Sequence, residues 1–337
     1  MAQSIPPTTA AAHPDPSAIH IPVMSEQVVE LLSPALDHEG AVYVDGTVGL
    51  AGHASLILQA NPRARLIGID QDGDALALAA RRLDRFGGRA HLVRARFDEL
   101  PRVLDDLGVH SLDAMLLDLG LSSLQIDRPE RGFAYRTDAP LDMRMDDRNE
   151  LTAARVLNDY EPGRLVGVLR EYGEERQAAR IVRAIVAERE KAPFENSARL
   201  VRVIESAIPA AVRARSSGHP ARRTFQALRI EVNGELKVLQ AVLPHVLARM
   251  TVGARLAVLA YHSLEDRIVK QVFAKASQDS APAGLPVVPD ELAARFALVT
   301  HGAQRPSAEE LAANPRSASA RLRVLRRIRA ESTGGRR

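Results

Sequence analysis

Cysteine is absent from this sequence of 337 residues. Its absence excludes disulfide bonds, thiolate metal sites and catalysis through a cysteine nucleophile. It also fits a reducing compartment, so we expect a cytoplasmic protein. No apolar run approaches the length of a membrane span, so we expect no membrane contact. A large excess of charge is also lacking, since the net charge is only +3. The apolar fraction of 46% is ample for a packed core.

The small basic excess is unevenly distributed along the chain. Residues 316–337 include eight arginines and one acid. Clustered arginine suits contact with phosphate groups. The alternative is a solvated tail and a solvated loop. A second cluster flanks residues 216–220 and consists of Arg213, Arg215, Arg222 and Arg223.

A short apolar run, a glycine-rich turn and a helical pattern follow one another between Ala41 and Gln59. This succession predicts the first strand, turn and helix of a doubly wound nucleotide-binding sheet. The glycine spacing differs from the dinucleotide motif G-x-G-x-x-G, and Asp45 at the strand end would repel a phosphate. A carboxylate suits a cation instead, and S-adenosylmethionine carries a sulfonium and an ammonium group. The alternative is an ordinary strand, turn and helix in which Asp45 caps the turn.

Three predicted strands end in an acid, namely Asp45, Asp70 and Asp118. Open α/β sheets bind ligands at the carboxyl ends of their strands, so we expect these carboxylates to line one crevice. In such a fold Asp70 is placed to accept hydrogen bonds from a ribose diol, and it is also suited to cap the helix that follows. Phe97, after the third predicted strand, either covers an adenine ring or belongs to the core.

After the fourth predicted strand the alternation of strands and helices stops. We predict a helical domain inserted at residues 131–220, followed by one long helix over 222–243. A fifth strand is expected at 253–261, and the segments 296–300 and 321–325 are expected to form a closing antiparallel pair.

One stripe of the predicted long helix carries side chains that can hydrogen-bond phosphates and base edges. A solvent-facing stripe more often carries Glu and Lys, so this one is a candidate for contact with a nucleic acid. The alternative is a polar seam between the two domains. The stripe consists of Arg222, Gln226, Arg229 and Asn233.

A further candidate group follows the fifth predicted strand, where His262, Ser263, Glu265, Asp266 and Arg267 stand close together. No nucleophile elbow G-x-S-x-G accompanies them, so they do not form a hydrolase triad. The histidines are scattered and have no cysteine partner, so we predict no metal site.

A series of long motifs identifies a family. The motifs are Asp45-Gly-Thr-Val-Gly49 with Gly52-His53, Asp118-Leu-Gly-Leu-Ser-Ser123-Leu-Gln125, Arg131-Gly-Phe133, Pro140-Leu-Asp-Met-Arg-Met145, Tyr172-Gly-Glu-Glu175, the run from His219 to Asn233, His262-Ser-Leu-Glu-Asp-Arg267 and Arg316-Ser317. In this order they resemble the bacterial 16S rRNA (cytosine-N4)-methyltransferases of the decoding region, formerly known as MraW. The resemblance covers residues 20–328.

The resemblance implies a class I methyltransferase fold, which is a doubly wound α/β sheet, with an inserted all-helical domain. It also implies S-adenosyl-L-methionine as methyl donor and one cytidine of 16S rRNA as target. Where the family has Gly-Gly-His, this chain has Ala51, which predicts a conformation that alanine can hold rather than a positive φ. With Asp45 included, the cofactor site would consist of Asp45, Ala51, Gly52, His53, Asp70, Phe97, Asp118 and Gln125.

For the reaction we expect the cytosine amine to attack the methyl carbon directly, with no covalent enzyme intermediate. The missing cysteine excludes methyl transfer to the pyrimidine C5 by the usual thiol attack. Asp118 is the best-placed acceptor for N4–H, because DNA amino-methyltransferases place an acidic or amide motif after this strand. Their usual Asp/Asn/Ser-Pro-Pro-Tyr form is absent here. His262 and Ser263 are second candidates for base contact or proton removal.

We expect disordered tails at 1–18 and 331–337, a methyltransferase domain in two parts at 19–130 and 221–330, and the inserted helical domain at 131–220. The expected partner is 16S rRNA in the small ribosomal subunit, with no obligatory protein partner. Two other functions compete. A nicotinamide dehydrogenase is opposed by the acid and the glycine spacing of the first turn. A non-catalytic rRNA-binding assembly factor with a retained cofactor pocket is the alternative from another class.

Overall fold

The computed structural model describes residues 22–215, 218–282 and 288–330. The segments predicted to be disordered tails, 1–18 and 331–337, lie outside these ranges. Within them the chain forms one seven-stranded sheet covered by helices on both faces, together with a group of helices that has its own core. No helix of the described ranges combines the length and apolar content needed to cross a bilayer.

Seven strands form the sheet, and three of them end in the predicted acids. The strands are β1 (Val42–Asp45), β2 (Arg65–Asp70), β3 (Ala90–Arg94), β4 (Leu112–Asp118), β5 (Met250–Ala260), β6 (Phe296–Leu298) and β7 (Arg321–Arg327). They lie in the order β3-β2-β1-β4-β5-β7-β6. β1 to β5 pair in parallel, whereas β7 pairs antiparallel with β5 and with β6. This is the doubly wound arrangement of class I methyltransferases, and the expected closing antiparallel pair is confirmed.

Fourteen α-helices occur in the described ranges. They are α1 (Ser25–Leu32), α2 (Gly52–Ala60), α3 (Gly73–Leu83), α4 (Leu100–Asp106), α5 (Ser123–Asp127), α6 (Ala153–Asp159), α7 (Pro162–Glu171), α8 (Ala178–Arg189), α9 (Ser197–Ala207), α10 (Ala210–Arg215), α11 (Arg222–Asn233), α12 (Glu235–Arg249), α13 (Ser263–Ala276) and α14 (Ala308–Ala313).

Alternation along the strands divides the sheet domain into two apolar cores. Successive side chains of a strand point to opposite faces. Val42 and Val44 therefore pack with α4, α12 and α13, whereas Tyr43 between them packs with α1, α2 and α3. Both faces of the central strands are buried, as expected for a parallel sheet between two helical layers.

A third core joins α6, α7, α8, α9 and α11. The apolar stripe of α8, including Ile181, Val182 and Ile185, is buried in it. Phe225 and Leu228 of α11 are buried in the same core. The helical region thus continues through Asn233, beyond the boundary at residue 220 expected from the sequence.

The expected single helix over 222–243 is wrong, because it is interrupted at Gly234. This residue has φ +63°, a left-handed conformation that glycine adopts without steric cost and that ends many helices. The interruption lets α11 pack in the helical core while α12 packs on the sheet. It also places the junction of the two helices at the carboxyl edge of the sheet.

Candidate active site

A cavity of about 300 Å³ opens at the carboxyl ends of β1, β2, β4 and β5. This is the edge where doubly wound sheets bind ligands, because the loops that follow parallel strands all emerge there. We call it the first cavity. Its wall includes Thr47, Gly49, Asp70, Phe97, Asp118 and Tyr261.

Asp70 lines the first cavity and holds its glycine turn. The backbone N–H of Gly49 donates to Asp70 Oδ2 at 2.8 Å, and that of Asp72 donates to Oδ1 at 2.9 Å. Burial raises the pKa of Asp70 to about 6, so the side chain is mostly a carboxylate at neutral pH. Its remaining lone pairs can accept hydrogen bonds from hydroxyl groups of a ligand.

Asp118 lies at the end of β4, where the side chains of Tyr261 and His53 approach its carboxylate. The Tyr261 hydroxyl donates to Asp118 Oδ1 at 2.7 Å, and His53 Nδ1 lies 3.5 Å from Oδ2. His53 Nε2 lies 2.9 Å from the Val23 carbonyl oxygen and therefore carries a hydrogen, because a carbonyl only accepts. Burial and the nearby Asp118 carboxylate raise the pKa of Tyr261 well above its usual value. The hydroxyl thus stays protonated and orients Asp118, an acceptor on the cavity wall.

Gln125 is fixed in the wall by a capping box at the start of α5. Its Oε1 accepts from the backbone N–H of Ser122 at 3.1 Å, and its Nε2 donates to Asp72 Oδ2 at 3.0 Å. Arg131 pairs with the same carboxylate at 3.0 Å. Six of the eight residues predicted for the cofactor line the first cavity, namely Gly52, His53, Asp70, Phe97, Asp118 and Gln125.

Asp45 does not line the first cavity, and its contact with the cofactor stays a prediction. Only 2% of the residue is exposed. Its carboxyl group accepts from the Tyr43 hydroxyl at 3.0 Å and from the Thr47 backbone N–H at 3.2 Å. Burial raises its pKa to about 7. Asp45 therefore caps the turn from below, which is the alternative that the sequence left open.

Ala51 also lies behind the cavity wall, and its conformation differs from the prediction. It is fully buried and has φ +59° at the N-terminus of α2. The expectation that alanine avoids a positive φ here is wrong. A non-glycine residue in this region costs roughly 1–2 kcal/mol, because its Cβ crowds the following carbonyl oxygen. The surrounding core fixes the turn strongly enough to hold that strain.

A second cavity of about 750 Å³ lies between the helical region and the end of β5. Among the described residues, Arg321 is ion-paired with Asp266 at 3.0 Å, whereas Arg213, Arg215 and Arg222 form no ion pair. This surface joins the two arginine clusters that are distant in the sequence. Its arginines are Arg176, Arg213, Arg215, Arg222, Arg223, Arg305 and Arg321.

His262 and Ser263 line the second cavity rather than the first. The Ser263 hydroxyl donates to Glu174 Oε2 at 2.7 Å, which ties the helical region to α13. His262 Nε2 lies 3.1 Å from Glu265 Oε1. Their roles in base contact or proton removal stay predictions, and the structure puts Asp118 alone of the three candidates on the first cavity.

Three members of the predicted RNA stripe are engaged within the protein. Gln226 Nε2 donates to the Tyr172 carbonyl oxygen at 2.9 Å, and Arg229 Nε and Nη2 each lie 2.9 Å from a Glu235 oxygen. Asn233 donates to the Met143 carbonyl oxygen and accepts from the Met145 backbone N–H, both at 2.8 Å.

For these three the stripe forms a polar seam within the protein, which is the alternative that the sequence left open, and RNA contact through them stays a prediction. The partners lie after α7, at the start of α12 and in the segment that precedes α6. Arg222 alone of the four is exposed, and Arg222 and Gln226 both line the second cavity.

Two features near the cavity wall were not predicted from the sequence. Tyr261 was overlooked although it follows β5 directly, the same strand-end position that singled out Asp118. Glu235, His262 and Glu265 place ligand atoms within 4.8 Å of one another, the only such group of acids and histidines in the described ranges. Arg229 bonds both oxygens of Glu235 and supplies the balancing positive charge that a metal ion would bring.

Comparison with known proteins agrees with this geometry. The MraW methylase family matches residues 17–328. Ribosomal RNA small subunit methyltransferase H of Cutibacterium acnes is 58% identical over 312 residues, which cover 93% of each chain. The protein of the same name from Streptomyces avermitilis is 56% identical over 313 residues, 93% of this chain and 98% of that one.

Among solved structures, an rRNA methylase from Streptococcus thermophilus aligns over 90% of this chain and 95% of its own, with 12% identity and a TM-score of 0.38. The family assignment comes from the sequence matches, which extend over both the sheet and the helical region. This chain belongs to the MraW methylase family.

Proposed function

We propose that this chain transfers a methyl group from S-adenosylmethionine to the exocyclic N4 of a cytidine in the decoding region of 16S rRNA. One observation carries the proposal. Asp118, an acceptor on the wall of the first cavity, is hydrogen-bonded to Tyr261, which also lines the arginine-rich second cavity. The names of the two relatives, and the resemblance in sequence motifs, support rRNA as the substrate.

The first cavity suits a methyl donor better than a dinucleotide. Its arginines are already engaged by protein oxygens, as Arg96 is by Asp98 and Arg316 by Asp127. A pyrophosphate would thus find carboxylates rather than available cations near the turn. Asp70 is placed to accept hydrogen bonds from ribose hydroxyls, and Phe97 offers a ring for adenine. When bound, S-adenosylmethionine supplies an electrophilic methyl carbon on a sulfonium.

Asp118 increases the nucleophilicity of the cytosine amine. The lone pair of the cytosine amine is delocalised into the ring, so the amine is a poor nucleophile. A hydrogen bond from N4–H to Asp118 favours localisation of that lone pair. The bond between N4 and the methyl carbon then forms as the carbon–sulfur bond breaks, and the amine proton passes to Asp118 and on to water. No thiol is required, in agreement with the absence of cysteine.

The second cavity suits the RNA backbone. A base must leave its stack before its amine can reach a cofactor, so the flanking phosphates need a surface that holds them. Arginines without acidic partners bind phosphates through charge-assisted hydrogen bonds. Such binding releases counterions, so affinity for the small subunit is expected to fall steeply with salt.

The function is tested with small ribosomal subunits from cells that lack the endogenous activity. The subunits are incubated with the protein and radiolabelled S-adenosylmethionine, and the rRNA is digested to nucleosides. Label in N4-methylcytidine is the expected result. Label in another nucleoside would contradict the N4 assignment and leave the methyltransferase activity in place. Binding of subunits without any transfer, and without donor binding, would favour a non-catalytic assembly factor.

A further inference from the structure

Tyr261 is the aromatic side chain at which the two cavities meet. It follows the last residue of β5, is half-buried, and lines both the first and the second cavity. Of the aromatic residues on the first cavity, Phe97 lies at the end of β3 and Tyr261 at the end of β5. In the sheet, β4, which carries Asp118, lies between β5 and β1. The loops after β1 and β2 form part of the predicted donor site. Tyr261 is therefore the ring on the side from which RNA would approach.

Two hydrogen bonds fix the position of this residue. The Tyr261 backbone N–H donates to Glu265 Oε2 at 2.8 Å, and its hydroxyl donates to Asp118 Oδ1 at 2.7 Å. Gly120 has φ +96°, and a Cβ at that position would lie 3.4 Å from the ring. Gly120 thus places no side chain of its own against the ring, which also packs on the apolar core that includes α1, α2 and α3. A ring held in this way is preorganised.

A target base that leaves its stack loses stacking energy, and an aromatic side chain can restore part of it. Amino-methyltransferases with the Asp/Asn/Ser-Pro-Pro-Tyr motif carry an acceptor and an aromatic ring after the same strand. This chain has only the acid after β4. The neighbouring strand supplies a ring, since β4 and β5 pair in parallel with Asp118 opposite Leu259, two residues before Tyr261.

We propose that Tyr261 stacks on the target cytosine, so that the acceptor and the stacking ring come from two adjacent strands. This inference rests on the proposed function and adds a residue that positions the base. The ring is the stacking surface, whereas the hydroxyl orients the Asp118 carboxylate. These two contributions can be separated, because phenylalanine keeps the ring and removes only the hydroxyl.

The test compares wild type with Tyr261→Phe, Tyr261→Trp and Tyr261→Leu on small ribosomal subunits. The measured quantities are kcat and KM for methyl transfer and, by calorimetry, the affinity for S-adenosylmethionine. If the ring stacks on one base, Tyr261→Leu should lower kcat/KM about 10- to 100-fold. The affinity for S-adenosylmethionine should stay unchanged. Tyr261→Phe loses only the hydrogen bond to Asp118 and keeps the ring, so its decrease is expected to be clearly smaller than that of Tyr261→Leu. Tyr261→Trp, which restores a ring, is expected to stay close to Tyr261→Phe.

Two results would overturn the proposal. One is a Tyr261→Leu enzyme with the kcat/KM of Tyr261→Phe, which would show that the ring is not used. The other is a Tyr261→Phe enzyme as impaired as Tyr261→Leu, which would assign the effect to the hydroxyl. Wild-type activity is measured first. A wild type that does not methylate cytidine N4 contradicts the proposed function, and this outcome is distinct from any difference among the variants.

A second measurement tests the stacking role if Tyr261→Leu unfolds or no longer binds S-adenosylmethionine. The chain contains no tryptophan, so Tyr261→Trp introduces a unique fluorophore. Its fluorescence is compared on addition of two rRNA fragments of the decoding region, which differ only in whether the target nucleotide carries its base. Stacking predicts stronger quenching by the fragment with the base. Equal quenching by both fragments would refute the stacking role.

Discussion

The two cavities of this molecule both contain arginines, but they use them differently. In the first cavity, Arg229 pairs with Glu235, Arg96 with Asp98 and Arg316 with Asp127, so the positive charge is neutralised within the protein. In the second cavity, Arg213, Arg215 and Arg222 form no ion pair among the described residues. Four arginines line the first cavity and seven line the second, and the two groups also differ in the acids beside them.

This difference in arginine pairing suits the two cavities to different steps of the proposed reaction. Carboxylates on the first cavity favour a cationic donor and a proton-bearing amine, and unpaired arginines on the second favour phosphates. A substitution in one cavity should therefore change one step and spare the other. The first two predictions test this separation, and the third tests the buried acid beneath the glycine turn; they follow in order of decreasing effect on the reaction.

Asp118→Ala should lower the rate of methyl transfer most. Removing a group that accepts the amine proton typically costs about 10²- to 10⁴-fold. The single-turnover rate on small subunits measures the chemical step, and the affinity for the subunits should change little, since Asp118 does not line the second cavity. Asp118→Asn is the matched control, because it keeps an acceptor oxygen and removes the charge. A rate for Asp118→Ala within threefold of wild type would contradict the acceptor role.

The double variant Arg213→Gln, Arg222→Gln should weaken subunit binding and leave the donor site intact. Each lost phosphate contact reduces the slope of log affinity against log salt by about 0.7–0.9, and two contacts should lower affinity roughly tenfold at moderate salt. Filter binding across a salt series measures both quantities. Arg81→Gln is the control, since Arg81 is exposed on α3 and lines neither cavity. An unchanged slope would show that the second cavity does not bind RNA phosphates.

Asp45→Asn should have the smallest effect on methyl transfer, because its effect appears in stability rather than in activity. Burial raises the pKa of Asp45 to about 7 in the folded protein. Its contribution to stability is therefore present at acidic pH and is lost as pH rises from about 4 to about 7. We expect the wild type to lose about 1–3 kcal/mol more than the variant over this range, from the free energy that a pKa shift represents.

Urea unfolding at pH 5 and pH 8 measures this difference between Asp45→Asn and wild type. The carboxyl of Asp37 is largely exposed, so Asp37→Asn provides the control and should follow the wild type at both pH values. If Asp45→Asn and wild type show the same change with pH, the buried carboxyl group is not responsible for it.

Helical spacing alone was a poor guide to function in α11. The sequence correctly placed Arg222, Gln226, Arg229 and Asn233 along one stripe, because residues three and four apart share a helix face. It could not show what that face would meet. Gly234 ends the helix and brings Glu235 within 2.9 Å of Arg229, and the segment before α6 meets Asn233. Both partners come from outside the helix.

Strand ends were a better guide to the acids that line the first cavity, with one exception that has a clear cause. The rule that parallel strands end at a common edge correctly brought Asp70 and Asp118 to one cavity. Asp45 obeys the same rule but lies beneath the turn that follows it, where Thr47 and Tyr43 occupy its oxygens. Whether an acid at a strand end faces the ligand depends on how the next few residues fold over it.

The sequence by itself determined the order of strands and helices, the edge of the sheet that binds ligands and the family motifs. These depend on local periodicity and on residues that are neighbours in the chain. Only the tertiary structure decided that Ala51 adopts a positive φ, that Arg229 is paired with Glu235, and that Tyr261 joins the two cavities. Each of these features depends on packing between segments far apart in the sequence, where contacts outweigh the preference of a single residue.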